Sequence, residues 1–392
     1  MASIAELTGI KKVQSDLEQR RIKVRYNNST TVEQGQYFRI TLPKIGDAVL
    51  DMRDVRLHFN LDITSSDVQC TIAAPDVRCL INKMRILSGS TVLCDLVEFS
   101  QAAVFESLIH TSDNENIMTR YAEGRQPLAT RQTYGLSREY TCPINLRGGL
   151  LNMNGLLPLS RCSDIHVEFW LNAPGQALYS GTDGAATYKL RNIELLTTYV
   201  TSPSLSQHFN SSSVNFNVTD VTHRYNPVLS QQTLLRLSSN HNSLNSLITI
   251  MRTQANVDSI DVADKYESWY SGTNIEKYNT FVNNVLLYEE DVDSGLERWR
   301  LIQETIPEMH TSEHFDVDYL DSKSFLAVNL QSCRHFADRI TSGVKTSAHN
   351  SDIVKRVNLT AIPVAPVRAD SYLYSDAVIS LGPRGGDLKI SY

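Results

Sequence analysis

The feature that most constrains the fold of this chain is a strict alternation of apolar and polar residues. In the stretch 55–63, the alternate positions are held by Val55, Leu57, Phe59, Leu61 and Ile63. Successive side chains of a β-strand point to opposite faces, so this pattern places the apolar side chains on one face. The same alternation recurs in the stretches 140–146, 165–171, 214–218 and 388–392. The sequence therefore predicts many half-buried β-strands.

Turn residues separate the predicted strands, as at Ser88-Gly89-Ser90 and Ser271-Gly272. Many short strands with frequent turns are typical of a sandwich or a barrel. A parallel sheet would need a helix between successive strands. Apolar stripes at helical spacing occur in three stretches, 4–18, 97–110 and 296–306. The predicted fold class is therefore all-β with a few short helices.

Two of the predicted strands carry irregularities. Pro143 cannot donate a ladder hydrogen bond, so its strand is predicted to lie at a sheet edge or to contain a bulge. In the stretch 188–199, the apolar parity shifts between Leu190 and Ile193, which a β-bulge would explain.

The order of predicted elements in the first half of the chain recurs in the second half. The first half has a strand–turn–strand over 81–96, a helix over 97–110, and strands near 138–146, 164–172 and 187–200. The second half has a strand–turn–strand over 278–292, a helix over 296–306, and strands near 323–331, 352–362 and 371–381. A repeat of about 190 residues is typical of a duplicated domain and is too long for a solenoid unit. The polar stretch 201–206 is the predicted link.

Three segments carry a resemblance to a known family: a β-turn-β element over 81–93 before a helix, the stretches 146–150 and 156–159 ahead of the strand 165–171, and the closing strand 188–195. Together they resemble the double jelly-roll major capsid proteins of icosahedral DNA viruses. This lineage includes adenovirus hexon and the capsid proteins of tectiviruses, virophages and polinton-like viruses. The resemblance implies two tandem eight-stranded jelly-roll β-sandwiches, which we place at 31–203 and 204–392, behind an N-terminal arm at 1–30.

The resemblance also implies a function. The protein would be a non-enzymatic shell subunit that forms a homotrimer, because six jelly rolls around a threefold axis give a pseudo-hexagonal capsomer. Its partners would be neighbouring capsomers, the penton and minor capsid proteins. The expected location is the virion after synthesis in the host cytosol, since the N-terminus shows no signal-peptide pattern. A glycan-binding, lectin-like β-sandwich is the main alternative, and a β-sandwich hydrolase is a further one.

The N-terminal arm combines an apolar stripe with a cluster of basic residues. Residues 1–25 carry a net charge of +3, whereas the whole chain has a net charge of −6. We expect the arm to pack under the first jelly roll or to contact a neighbouring trimer, an internal membrane or the genome. The predicted contact residues are Ile4, Leu7, Ile10, Lys11, Lys12, Arg20, Arg21, Lys23 and Arg25.

Motifs that could carry chemistry are weak. The pattern His310-x-x-Glu313-His314 matches an inverted zinc-protease motif but lacks the helix which that motif requires. Ser342-x-x-Lys345 and Ser112-Asp113-Asn114 match two β-lactamase motifs in the wrong order, and the third motif is missing. An acidic cluster, Glu289, Glu290, Asp291 and Asp293, lacks the spacing of a calcium loop. No catalytic residue, metal site or cofactor is therefore predicted.

Two further residue types bear on packing and contacts. The six cysteines are scattered without close pairs and are predicted to be free thiols in the core. Trp170 lies on the otherwise polar face of the strand 165–171, where an indole indicates a contact with a neighbouring element or subunit.

Overall fold

The structure is a computed structural model. It describes residues 18–110, 122–133, 136–143, 150–151, 155–211, 213–263, 265–306, 324–331, 343–346, 352–383 and 385–391. The strands of the first half are β1 Glu18–Arg25, β2 Thr31–Glu33, β3 Tyr37–Thr41, β4 Val49–Thr64, β5 Thr71–Ile72, β6 Ile81–Ser88, β7 Thr91–Val97, β8 Ser137–Pro143, β9 Leu156–Leu157, β10 Ile165–Leu171, β11 Leu178–Tyr179 and β12 Thr187–Thr201. Those of the second half are β13 Val214–Val228, β14 Gln232–Arg236, β15 Leu244–Thr253, β16 Ile275–Val282, β17 Val285–Leu286, β18 Phe325–Asn329, β19 Ile353–Leu359, β20 Val367–Leu381 and β21 Lys389–Ser391.

Helices connect some of these strands. The α-helices are α1 Phe99–His110, α2 Leu128–Thr133, α3 Pro174–Ala177, α4 Pro203–Ser211, α5 Gln254–Asp258 and α6 Gly295–Thr305. Single 3₁₀ turns lie at Val77–Leu80, Leu159–Arg161 and Gly272–Asn274. None of the helices in the described ranges is long and apolar enough to cross a membrane.

The strands of the first half form two antiparallel sheets. One sheet has the order β1-β12-β4-β8, and the other has the order β3-β10-β6-β7. If the very short strands β2, β5, β9 and β11 are set aside, these are the first, eighth, third and sixth strands, then the second, seventh, fourth and fifth. That order is the jelly-roll topology. The inner faces of the two sheets share one buried apolar cluster, which includes Leu57, Leu195, Phe38, Phe169 and Met84.

The second half repeats this topology strand for strand. Its sheets have the orders β13-β20-β15-β18 and β14-β19-β16-β17, which are again first-eighth-third-sixth and second-seventh-fourth-fifth. The core between the two sheets is a separate apolar cluster that includes Leu247, Leu373, Leu235 and Val357. The predicted duplication and the predicted pair of tandem jelly rolls are therefore confirmed.

The repeated hairpin and helix also agree with the sequence analysis. β6 and β7 pair and lead into α1, and β16 and β17 pair and lead into α6. The predicted bulge is present as well, because the register of β12 on β4 shifts between Arg191 and Glu194. Pro143 ends β8, which pairs with β4 at the edge of the described sheet.

The structure corrects the N-terminal arm. Residues 18–25, which we had placed in an arm at 1–30, form β1 and pair with β12 from Glu18↔Thr201 to Arg25↔Glu194. Since Ile22 and Val24 pack against the core, the alternation in this stretch is that of a strand. The first strand therefore begins inside the stretch that we had assigned to the arm. The predicted helix over 4–18 lies outside the described residues, apart from Glu18, which begins the strand.

The two jelly rolls pack against each other through α1. The outer face of the β13-β20-β15-β18 sheet carries Ile248, Ile250, Phe325, Tyr372 and Tyr374, all of them buried. These residues belong to the same apolar cluster as the core of the first jelly roll. Both faces of this sheet are therefore buried, which explains why β15 and β20 have apolar residues at consecutive positions.

The C-terminal segment also connects the two jelly rolls. β21 pairs with β20, while the backbone just before it contacts the first jelly roll. The Gly386 amide donates to the Arg161 carbonyl at 2.8 Å, and the Leu388 amide donates to Ser88 Oγ at 3.0 Å. Leu388 is fully buried. The predicted link at 201–206 falls where β12 ends and α4 begins.

Candidate assembly surfaces

A buried ionic cluster holds the first jelly roll on the second. Asp370 of β20 is fully buried and accepts hydrogen bonds from His223 at 2.9 Å and Arg252 at 3.0 Å. Burial disfavours its ionisation, but the hydrogen bond from His223 and the charges of Arg252 and Arg368 hold the pKa of Asp370 well below its usual range. Arg368 in turn pairs at 2.7 Å with Glu98, the residue that precedes α1. A cation of the second jelly roll, Arg368, therefore pairs with a carboxylate of the first.

Apolar and polar contacts surround this cluster. The ring of Phe105 in α1 packs edge-on against Phe325 at 4.9 Å and also contacts Trp269. The Tyr372 hydroxyl donates to the Glu98 carbonyl at 3.2 Å, and the Tyr374 hydroxyl donates to Glu106 at 3.3 Å. The interface inside the chain therefore combines aromatic packing with charge-assisted hydrogen bonds.

The corresponding outer face of the first jelly roll is charged and exposed. Its strands β1 and β12 direct alternate side chains away from the core, since Ile22, Val24 and Leu190 point inward. We call this surface the basic face. Its outward basic residues are Arg21, Lys23 and Arg25 of β1, Arg56 of β4, and Lys189 and Arg191 of β12. Acidic residues on the same face are Asp54, Asp62, Glu139 and Glu194.

Glu194 lies at the centre of the basic face. It is buried and pairs with Lys23 at 3.1 Å, with Arg25 at 3.9 Å and with His58 Nδ1 at 3.2 Å. His58 Nε2 contacts Glu139 at 2.7 Å. Beside these groups lies an open groove of about 740 Å³. Lys23 and Arg25 keep 64% and 78% of their side-chain surface exposed, so both can contact a further anion.

The structure places only part of the predicted arm residues. Ile4, Leu7, Ile10, Lys11 and Lys12 lie outside the described residues. Arg20 is on the opposite side of β1 from the basic face, which carries Arg21, Lys23 and Arg25. Arg20, Arg21, Lys23 and Arg25, which we had assigned to a separate arm, are therefore part of a sheet.

In the acidic cluster, one residue forms ion pairs and the other three are exposed. Asp291 pairs with Arg356 at 2.6 Å and with Lys277 at 3.3 Å, and Asn279 also donates to it. Burial raises the pKa of Asp291, but these partners outweigh burial and lower it. Glu289, Glu290 and Asp293 are exposed. In the part of the chain that the structure describes, no three His, Cys, Asp or Glu side chains are placed to hold a metal ion.

The structure describes few residues of the weak catalytic motifs, so their interpretation stays a prediction. His310, Glu313, His314, Ser342 and the segment Ser112–Asn114 lie outside the described residues, whereas Lys345 is described and exposed. Cys70, Cys79, Cys94, Cys142 and Cys162 are buried free thiols, as the sequence predicts, and Cys333 lies outside the described residues. Burial raises the pKa of Cys70 to about 11 and that of Cys79 to about 12, which disfavours a reactive thiolate.

Trp170 contacts side chains of neighbouring strands. Its ring lies 4.8 Å from that of Tyr37, and Lys83 and Arg85 are placed over it at 5.2 and 5.3 Å. The Tyr37 hydroxyl donates to Glu168 at 2.7 Å. Burial and this hydrogen bond raise the pKa of Tyr37 to about 12. The indole therefore has partners on its own sheet, as its position on a polar face indicated.

The chain matches known proteins in fold but not in sequence. No protein-family model matches the sequence, and no curated protein matches it. Solved structures match over nearly the whole chain. VP54 of PBCV-1 has a TM-score of 0.69 at 11% identity, with 98% of this chain and 100% of that chain covered. The Faustovirus major capsid protein has a TM-score of 0.65 at 8% identity, with 94% and 91% covered. The mavirus major capsid protein has a TM-score of 0.56 at 9% identity, with 98% and 93% covered.

The chain has the double jelly-roll fold of viral major capsid proteins. This agrees with the family that the sequence segments resembled and with the strand order of both halves. In this double jelly roll, the surface residues that sequence reasoning missed are those which complete the basic face, among them Arg56, His58, Lys189, Arg191 and Glu194. Their signal was present in the polar positions of two alternating strands, 55–63 and 187–200. What the sequence could not give was the pairing that brings β1, β4 and β12 side by side.

Proposed function

We propose that the protein is the structural major capsid protein of an icosahedral virus and forms pseudo-hexagonal homotrimeric capsomers. The observation that carries this proposal is the complete duplication of the jelly-roll topology, with both copies fixed side by side by a buried interface. Two similar jelly rolls per chain become six around a threefold axis, and a six-sided tile can pack into a closed shell. The similarity in fold to the Faustovirus and mavirus major capsid proteins supports the same role.

The proposed protein acts through its surfaces and is not an enzyme. It would be located in the virion and contact itself, neighbouring capsomers, the penton and minor capsid proteins. The glycan-binding alternative has no support among the similar structures described above. These solved proteins include two that are themselves named major capsid proteins.

The N-terminal residues supply a contact between capsomers in this proposal. The charge of the predicted arm has to be divided, because Arg20, Arg21, Lys23 and Arg25 with Glu18 account for its whole +3 and lie on β1. Residues 1–17 contain Lys11 and Lys12 against Glu6 and Asp16, so their side chains are neutral in sum. Their apolar residues Ile4, Leu7 and Ile10 then favour a neighbouring capsomer over a membrane surface or the genome as the partner.

The oligomeric state tests the proposal. We expect the purified chain to have the mass of three copies in multi-angle light scattering and native mass spectrometry at micromolar concentration. Negative-stain images should show a threefold particle with a nearly hexagonal outline. A stable monomer under these conditions, or a dimer with a twofold outline, would contradict the capsomer.

A further inference from the structure

Inside the chain, the helix of the first jelly roll packs on a sheet of the second. The equivalent contact, between the helix of the second jelly roll and the matching sheet of the first, is not made within the chain. In both jelly rolls a helix follows the strand pair at the end of the second sheet, α1 in the first and α6 in the second. α1 packs on the outer face of the β13-β20-β15-β18 sheet. In the matching β1-β12-β4-β8 sheet of the first jelly roll, α4 packs on Val49 and Val200 at one end of the outer face. The basic residues of the rest of that face, the basic face, are exposed. The matching helix α6 likewise has exposed residues, among them Leu296, which is 71% exposed.

The two outer faces share an ionic arrangement. Each has a buried carboxylate on its eighth strand, Asp370 in the second jelly roll and Glu194 in the first. Each carboxylate is held by groups from the first and third strands, His223 and Arg252 in one case and Lys23, Arg25 and His58 in the other. In the second jelly roll this arrangement extends to a carboxylate of the other jelly roll, since Arg368 pairs with Glu98.

In the first jelly roll, the cations for such a contact are present and exposed. Lys23 and Arg25 are among the most exposed basic side chains of the basic face, beside the groove lined by β1, β4, β8 and β12. Their pairing with Glu194 uses one carboxylate for two cations. Glu139, the other carboxylate that lines the groove, contacts His58 at 2.7 Å, so a carboxylate from outside the chain would be a second anionic partner for Lys23 and Arg25.

The segment around α6 carries carboxylates at the matching place. Glu98 comes directly before α1, and Asp293 comes two residues before Gly295, the first residue of α6. We call the exposed residues Glu289, Glu290, Asp293, Leu296 and Glu297 the acidic tip. Asp291, which is already paired with Arg356 and Lys277, is not part of it.

We propose that the basic face of one copy binds the acidic tip and α6 of a second copy, so that the contact inside the chain is repeated between chains. This inference rests on the proposed capsomer and names its interface. The two surfaces differ, so the contact is heterologous, and a ring of copies closes if the rotation between them is one third of a turn. If the contact between chains repeats the contact inside the chain, each jelly roll is related to the next by a similar rotation. Six successive contacts, three within chains and three between them, then complete the ring.

The charge of the two surfaces gives this interface a character of its own. The contact inside the chain buries aromatic rings around one ion cluster, whereas the contact between chains pairs exposed cations with exposed carboxylates. Such an interface is weakened by salt, because charges on a surface are screened within about 8 Å at physiological ionic strength. We expect trimers to dissociate into folded monomers at high salt before the jelly rolls separate.

Charge reversal with rescue tests the interface. The double variant Lys23→Glu, Arg25→Glu and the double variant Asp293→Lys, Glu297→Lys should each raise the trimer dissociation constant at least tenfold in analytical ultracentrifugation. The quadruple variant restores opposite charges and should recover most of the trimer. Lys345→Glu, an exposed charge outside both surfaces, is the matched control and should leave association unchanged. Circular dichroism shows whether each variant is folded. The acidic-tip variant should keep the fold, because Asp293 and Glu297 are exposed.

A cysteine experiment tests the direction of the contact. On a Cys333→Ser background, chains with Arg25→Cys and chains with Asp293→Cys should form a disulfide-linked dimer when mixed and little when each is oxidised alone. Dimers from either variant alone would indicate a twofold contact and overturn the inference.

The inference also fails if the wild-type chain is a trimer and all reversal variants stay trimeric, although the proposed capsomer would stand. A monomeric wild type would instead contradict the capsomer itself.

Discussion

A lysine in the core of the second jelly roll is the least expected single residue of the molecule. Lys355 of β19 is fully buried, and its Nζ donates to Thr249 Oγ1 at 3.0 Å and to the Leu326 carbonyl at 3.3 Å. Both partners are neutral, so no anion offsets the cost of burying the charge. Burial lowers the pKa of Lys355 to about 7. The ammonium group therefore destabilises the folded chain at neutral and acidic pH.

Replacement of this lysine by methionine should stabilise the protein. Lys355→Met fills the same space with an apolar side chain, and Thr249 keeps its contact with the Ser371 hydroxyl at 2.9 Å. We expect the free energy of unfolding to rise by about 2 to 4 kcal/mol at pH 6. Urea unfolding at one fixed protein concentration measures it, because association also contributes to stability.

The pH dependence of the same variant checks the cause. Between about pH 7 and pH 10.5, the unfolded chain binds a proton at Lys355 that the folded chain does not, so this group makes wild-type stability rise with pH. Below pH 7 both states are protonated and its contribution is constant. The advantage of Lys355→Met should therefore be largest below pH 7 and shrink as the pH approaches 10. Lys345→Met, at an exposed position, should show no such trend. A stability difference that does not change with pH would contradict the buried charge.

The alternation that predicted the strands also contained the position of this lysine. Ile353, Lys355 and Val357 share the parity of β19 and point into one core. A charged residue at an inward position is normally taken as a sign of a wrong parity, because propensity gives no reason to bury it. Asp370 is a similar case, because its position in β20 follows from the sequence but its partners do not. Arg252 and His223 lie on other strands, and their contacts with Asp370, like that of Arg368, need the folded sheet.

Among the elements, the C-terminal strand has the most specific backbone requirement. Gly385 has φ +73°, and a Cβ at this position would lie 2.4 Å from the Arg161 carbonyl oxygen of the first jelly roll. Gly385→Ala should therefore displace the segment that leads to β21, and we expect it to lower the free energy of unfolding by about 1 to 3 kcal/mol. Limited proteolysis should then cleave near the C-terminus earlier than in the wild type.

A neighbouring glycine provides the control for this prediction. A Cβ at Gly382 would meet no heavy atom within 4 Å, and its backbone lies outside the positive-φ region. Gly382→Ala should therefore leave both the unfolding transition and the proteolytic pattern unchanged. Equal effects at the two positions would show that the fit of Gly385 against Arg161 does not hold the segment in place.

Among the strands and helices, the sequence predicted those with a long apolar pattern and missed β1, whose apolar face is short. The hairpin and helix pairs were visible because β6, β7 and α1 each have a full apolar pattern. β1 has only Ile22 and Val24 facing the core, and the basic residues between them resembled a charged arm. Its place in the sheet depends on the edge of β12, which lies some 170 residues away in the chain.

The whole molecule adds what no single segment contains, the relation of the two jelly rolls. The apolar residues on both faces of β15 and β20 indicated burial, but they could not show that α1 covers one of these faces. The same reasoning explains why the basic face had no signal as an assembly surface. Its members come from β1, β4 and β12, and their common surface exists only after the sheet has formed.

Deletion of the N-terminal residues separates shell assembly from folding. Residues 2–17 precede β1 and belong to the part of the predicted arm that lies outside the described residues. We expect a chain without them to form soluble trimers of unchanged thermal stability and to assemble into closed shells at least tenfold less efficiently, as counted by electron microscopy. The reason is that Ile4, Leu7 and Ile10 would be lost as a contact to the next capsomer while every described strand remains.

A longer deletion is the matched control for this experiment. Removal of residues 2–25 also removes β1, which exposes the edge of β12 and leaves Glu194 without Lys23 and Arg25. This variant should lose thermal stability and, on the interface inferred above, trimer formation as well. Normal shells from the 2–17 deletion would contradict a contact between capsomers. Loss of folding in that shorter deletion would instead show that residues 2–17 belong to the core of the first jelly roll, because β1 and its basic residues are still present in that variant.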